Sequence, residues 1–167
     1  MYLANVADRV RVPVVARSTD RVHGLAVAPR ISICSLIFSV QAYSESDLEV
    51  IEQAYATFGA GDAEGWAILH TDDFVWTIFG DLPHSGQRVG TQAVIDEVMG
   101  LFPKHWPDLV IDTIKTYQVD DVVFVHARMM AQGMDTESLH MFKMRNGKIA
   151  AFTAFDDTDA LRASMVQ

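Results

Sequence analysis

The sequence predicts an α+β domain, and three observations carry that prediction. Helical periodicity is concentrated between residues 45 and about 102, and strand-like stretches follow one another from Leu109 to Asp157. The dipeptide Asn146-Gly147 between two of those stretches is the strongest hairpin signal in the chain. Helices segregated from an antiparallel series of strands, rather than alternating with them, are the mark of α+β architecture. The chain divides into an extension over 1–44 and one domain over 45–167, with no repeat, low-complexity tract or linker after residue 45.

Each element arises from local chemistry. Ser44 or Ser46 is placed to cap a first helix, in which Leu48, Ile51, Tyr55 and Phe58 recur at helical spacing. Gly59-Ala60-Gly61 ends it, and Asp62 is placed to cap a second helix carrying Trp66 and Leu69 on one side. Thr71-Asp72-Asp73 reads as a turn before a strand over 74–79, rich in aromatic and β-branched residues. A polar loop with Gly and Pro spans 80–90. Thr91 opens a third helix with Val94, Val98 and Leu101 on one face, and Pro103 and Pro107 interrupt the chain beyond it. Strands are then expected over 109–119, 122–132, 137–145 and 148–157, with a short helix from Thr158.

The chain has 167 residues, enough for one domain with a sizeable core, and a formal net charge of −9. That acidity argues against nucleic acid and anionic membranes as partners, because phosphate binding needs basic patches. The single cysteine, Cys34, excludes an intrachain disulfide and a cysteine-based zinc site. His and Asp residues do not fall at metal-ligand spacings, so no metal and no cofactor are expected.

Residues 1–44 carry five Arg against two Asp, opposite in sign to the rest. Within them Arg30, the apolar run ISICSLIFSV and Val40-Gln41-Ala42 have the order of a secretory signal. The run is short and its preceding segment long, so a poorly ordered extension or a start assigned too far upstream is the plainer reading. The expected location is cytoplasmic, with cleavage near Ala42 implying secretion or the periplasm instead.

Three stretches together resemble the SnoaL-like and ketosteroid-isomerase-like branches of the nuclear-transport-factor-2-like superfamily: AGDAEGWAILHTDDFVWTIFG, SGQRVGTQAV and HMFKMRNGKIAAFTAFDDT. The resemblance covers Ser46 to Ala163. It implies a cone-shaped molecule, in which a curved, mostly antiparallel sheet and three N-terminal helices enclose an apolar pocket. It also implies frequent homodimers, and functions that range from isomerases, cyclases and epoxide hydrolases to non-catalytic binding or assembly modules. Fold therefore does not settle function.

Matched residue by residue, the enzymatic patterns are incomplete. The isomerase branch's base Asp falls on Ile78, its donor Tyr on Ala54 beside Tyr55, and its donor Asp on His140. A hydrocarbon cannot take a proton, so that mechanism is not expected. Arg128 matches the arginine of the limonene-epoxide-hydrolase-like branch, but Met130 and Ala154 stand where its carboxylates belong. The SnoaL-like cyclases use a pocket His and Asp. His140 matches the His, and Asp156 lies two residues beyond the Asp position, now Ala154.

Strand alternation places candidates on faces. Matching the strand over 74–79 to the family implies that Trp76 and Ile78 point inward, and with Lys143 and Arg145 on the opposite face of their strand His140 and Phe142 point inward as well. On the last strand Phe152 and Asp156 lie together, a bulge bringing Asp157 inward instead. His126 and Arg128 share a face that is either pocket or subunit interface. His84 belongs to the loop expected at the pocket mouth, and Phe79 is a wall candidate. The expected protein binds a flat, largely apolar small molecule, with His140 as acid or base and Asp156 or Asp157 as its partner. Trp76, Ile78, Phe79, His84, His126, Arg128, Phe142 and Phe152 are the expected contacts. For each, a plain structural role is the competing reading: core packing for His140, helix capping for Asp156 or Asp157.

Overall fold

The computed structural model describes residues 45–167; the extension over 1–44 and the signal-like run within it lie outside the described residues. Helix α1 (Glu45–Ala60) buries Ile51 and Ala54 and packs Tyr55 and Phe58 against the core, while Leu48 stays exposed. Gly61 reverses the chain at φ 69°, a backbone angle open to glycine. Asp62 then accepts the Gly65 amide proton at 2.9 Å and caps α2 (Ala63–Ile68), whose Trp66 is buried.

Six strands complete the scaffold: β1 (His70–Ile78), β2 (Gly86–Val89), β3 (Val110–Val119), β4 (Val122–Ala131), β5 (Met134–Arg145) and β6 (Lys148–Phe155). They form one curved, unclosed sheet in the order β2-β1-β6-β5-β4-β3. Consecutive strands from β3 to β6 pair antiparallel, whereas β1 lies parallel to β6. The short helix α5 (Thr158–Ser164) comes after β6 and buries Leu161.

Three local expectations change. Thr71-Asp72-Asp73 belongs to β1 rather than to a turn, because the register against β6 slips between His70 and Val75 and absorbs the irregularity. Residues 86–89, expected as loop, form β2 by pairing with the edge of β1; pairing, not composition, makes the strand. The third helix is three pieces: α3 (Thr91–Val94), a π-helical turn (Ile95–Met99) and α4 (Leu101–His105). The wider π turn brings Phe102 rather than Leu101 to the buried face below Val94 and Val98. Pro103 sits in the first turn of α4, where an amide hydrogen is not needed.

Register fixes what the concave face presents. One cross-sheet row runs Ile78, Ala154, His140, Val125, and the next runs Trp76, Phe152, Phe142, Val123. All eight are buried. The outer face carries the alternate residues, among them Thr77, Thr153, Met141, Phe124 and Tyr117.

Candidate functional site

The row containing His140 has aliphatic neighbours, Ala154 on β6 and then Ile78 on β1. Its polar partners come from elsewhere. Asp156 lies just past the end of β6, and its Oδ1 is 3.6 Å from His140 Nε2, with the two side chains 4% and 5% exposed. Ser138, two residues before His140 on the same face of β5, donates its hydroxyl hydrogen to the same Asp156 oxygen. From above, α1 brings the Tyr55 hydroxyl to 2.7 Å from His140 Nδ1, the two rings stacking at 5.9 Å. A buried chain of four polar groups thus runs Ser138, Asp156, His140, Tyr55 inside an aromatic shell.

The electrostatics order the protons. Burial pushes the Asp156 carboxyl up, but the bond and charge of His140, the Ser138 hydroxyl and the His84 charge outweigh it and hold the group below its ordinary value. Burial, reinforced by the Asp156 charge, pushes the Tyr55 phenol up and keeps its proton in place. An ionised Asp156 draws the Nε2 proton toward itself, which leaves Nδ1 to accept from the Tyr55 hydroxyl.

Tyr55, His140 and Asp156 open on a hollow of about 60 Å³, whose walls include Trp76, Ile78, Phe142, Phe152 and Ala154. Trp76 packs on Phe152 with centroids 4.4 Å apart, and His140 meets Phe152 edge-on at 5.2 Å. His70 also borders the hollow; burial lowers its pKa to about 4 against the pull of the Trp66 carbonyl, which its Nδ1 reaches at 2.7 Å.

Of the residues expected from sequence, the structure brings together His140, Asp156, Trp76, Ile78, Phe142 and Phe152 around the hollow. Five others stand elsewhere. Asp157 does not turn inward: it caps α5, accepting the Ala160 amide proton at 3.0 Å, because β6 pairs with β5 in unbroken register from Ala151 to Phe155, its one irregularity coming earlier, between Ile149 and Ala151. Phe79, just past β1, is 55% exposed and packs on Phe155 outside the hollow. His126 and Arg128 lie on the outer face of β4, since the inward set there is Val123, Val125, Ala127 and Met129. His126 bonds Glu137 at 2.7 Å and Arg128 clasps Asp135. His84 is neither at the mouth nor solvated; it is fully buried behind Phe102 and Trp106 and does not border the hollow.

Sequence reasoning passes over Ser138, His70, Phe58 and Phe102. Ser138 is visible as the next member of the 140, 142, 144 alternation, and Phe58 as the end of the α1 stripe. Tyr55 stands one residue from an expected donor. Phe102 depends on the π turn and has no sequence signal. Among the described residues, no three His, Cys, Asp or Glu side chains converge as a metal-ligand set.

A family model described as a SnoaL-like domain matches residues 51–152. No curated protein matches the sequence. Solved structures give the same fold at low identity. TerC, co-crystallised with polyporic acid, is 23% identical, covers 72% of this chain and 98% of its own, and superposes with a TM-score of 0.64. A putative SnoaL-like polyketide cyclase from Jannaschia sp. CCS1 is 16% identical, covering 74% and 94%, with a TM-score of 0.64. A protein of ketosteroid-isomerase-like fold from Catenulispora acidiphila DSM 44928, in complex with trimethylamine, is 11% identical, covering 70% and 91%, with a TM-score of 0.59.

Proposed function

The chain belongs to the SnoaL-like domain family, and from that premise we propose that it is a small-molecule enzyme, moving a proton next to a carbonyl group of a flat, largely apolar substrate. The observation that carries the reading is the buried line Tyr55–His140–Asp156 facing an otherwise apolar hollow. Two similar folds, bound to polyporic acid and to trimethylamine, support a small molecule as the partner.

The chemistry turns on one hydroxyl with two acceptors. With the ring proton on Nε2, Tyr55 donates to His140 Nδ1. A substrate whose carbonyl oxygen reaches Tyr55 draws that hydroxyl away and uncovers the Nδ1 lone pair. Nδ1 then takes the proton from the carbon beside the carbonyl, the electron pair moves onto the oxygen, and Tyr55 donates to the developing enolate. Asp156 and Ser138 stabilise the imidazolium that forms, and return of the proton to a different carbon completes an isomerisation. An aldol-type ring closure uses the same enolate as its nucleophile.

A second reading has its own support: Ile78 and Ala154 flank His140 where the isomerase and hydrolase branches would place carboxylates, which favours a pocket that binds without chemistry. One experiment separates the two. Exchange of the C1 hydrogens of 2-tetralone into deuterated water, monitored by proton NMR, is accelerated by the protein and falls about 10²-fold or more in His140→Gln. Exchange no faster than in buffer, or unchanged by His140→Gln, sinks the catalytic reading and leaves the binding one. A homodimer is the proposed assembly, supported by apolar residues exposed on the sheet's outer side, Tyr117, Leu139 and Phe155.

A further inference from the structure

The hollow at His140 is too small for the substrate it serves. Its volume of about 60 Å³ is well below the roughly 150 Å³ of a cavity that accommodates a single benzene ring. A second, larger compartment of about 400 Å³ adjoins it, and four residues line both: Tyr55, Phe58, Phe102 and Ile111. The outer compartment is bounded by the end of α1, the π-helical turn and α4, through residues such as Ala60, Ile95, Met99 and Leu109. No Asp, Glu, Lys, Arg or His is among its lining residues.

The partition consists of two aromatic side chains. Phe58 and Phe102 meet edge-on across it, with centroids 5.4 Å apart. Phe102 hangs from a short helix that begins immediately after the π turn and Gly100, a weak stretch of backbone compared with the sheet beneath. A side chain at Gly100 would meet nothing within 4 Å, so close packing is not what requires glycine there.

We infer that the ligand spans both compartments, with its single polar group at Tyr55 and His140 and an uncharged, elongated apolar body passing between Phe58 and Phe102 into the outer compartment. The inference rests on the proposed function for its polar end and on the second compartment for its apolar end. It assigns a substrate class: a carbonyl compound with its polarity at one terminus and no charge at the other. A charged tail would find no ionic partner in that lining.

The series 2-butanone, 2-hexanone, 2-octanone and 2-decanone tests it. Binding is read by quenching of tryptophan fluorescence, since Trp66 and Trp76 border the inner hollow and Trp106 the outer compartment. Once the chain passes Phe102, each added methylene tightens Kd by about fourfold. Met99→Asp brings 2-decanone back toward 2-butanone. Ala60→Asp, at an exposed position where a carboxylate costs at most about 1 kcal/mol at the end of α1, does the same and guards against a Met99 variant that fails to fold. Failure of 2-decanone to bind, a Kd that is flat with chain length, or a gain that persists in Ala60→Asp and in a folded Met99→Asp overturns the inference. His140→Gln separates this from the catalytic reading. If it leaves 2-butanone binding unaltered while the chain-length gain responds to Ala60→Asp, the outer compartment stands and the polar end falls. If it weakens 2-butanone while chain length has no effect, the polar end stands and the spanning ligand falls.

Discussion

Replacing His84 by leucine is expected to make the protein less sensitive to acid. His84 is fully buried, its ring 4.9 Å from that of Phe102 and 5.2 Å from that of Trp106, and neither ring nitrogen has a hydrogen-bond partner among the described residues. Burial lowers its pKa from 6.5 to about 4, against the favourable charge of Asp156 and with the help of His105 and Arg88. The folded-state pKa lies below the unfolded one, so the unfolded chain takes up the proton first as pH falls. The stability is therefore fully present above pH 6.5 and drains away as pH drops from 6.5 toward 4. Between pH 8 and pH 4.5 the loss is about 2.5 kcal/mol for this one side chain. His70, lowered to about 4 as well, contributes a similar loss, so His84→Leu removes about half of the acid loss carried by these two histidines.

Urea unfolding at the two pH values measures this. With a slope of about 1–3 kcal/mol per molar urea, the drop in midpoint between pH 8 and pH 4.5 shrinks by about 0.8–2.5 M in His84→Leu. At pH 8 the variant should match or exceed the parent, because removing two unsatisfied nitrogens relieves a cost of about 1–3 kcal/mol that offsets the altered packing. An equal acid-induced drop in both proteins, or a variant more than about 2 kcal/mol weaker at pH 8, would refute the reasoning, the latter by showing that the imidazole has partners after all.

Two further substitutions address the site directly. Tyr55→Phe should cost about 1 kcal/mol of stability and slow the exchange of 2-tetralone by about 10²-fold, as expected for loss of a donor to an enolate oxygen; a stability loss with undiminished exchange would confine the hydroxyl to a structural role. Asp157→Ala should cost about 1 kcal/mol in urea unfolding through loss of the α5 cap and leave exchange unchanged, whereas slowed exchange would return Asp157 to the site.

The parts of the site legible in the sequence are those that strand alternation decides. With Lys143 and Arg145 assigned to water, His140 and Phe142 have to face inward, while Trp76 and Ile78 reach the hollow as the family resemblance implies, alternation then fixing which of their neighbours share that face. Alternation cannot decide which face of β4 is concave, because both are apolar at several positions. It therefore leaves His126 and Arg128 between pocket and interface; the His126–Glu137 hydrogen bond and the Arg128–Asp135 ion pair lie on the outer face, away from the hollow. The choice between Asp156 and Asp157 turns on where β6 carries its register irregularity, between Ile149 and Ala151 rather than past Phe152, a feature of the backbone with no residue-type signature here. His84 defeats a rule of thumb, that polar side chains in polar loops are wet. The π turn is invisible because no residue in Ile95–Met99 distinguishes it from an ordinary helical turn, and the position of Phe102, the wall between the two compartments, depends on it.

A crystal structure of the protein with 2-tetralone bound addresses the central claim most directly. The ketone oxygen is expected within hydrogen-bonding distance of the Tyr55 hydroxyl, C1 against Nδ1 of His140, and the far ring between displaced Phe58 and Phe102 side chains. A ketone seated on the outer face of the sheet, or one in the hollow with Tyr55 still bonded to His140 and its oxygen turned away from both, would contradict it.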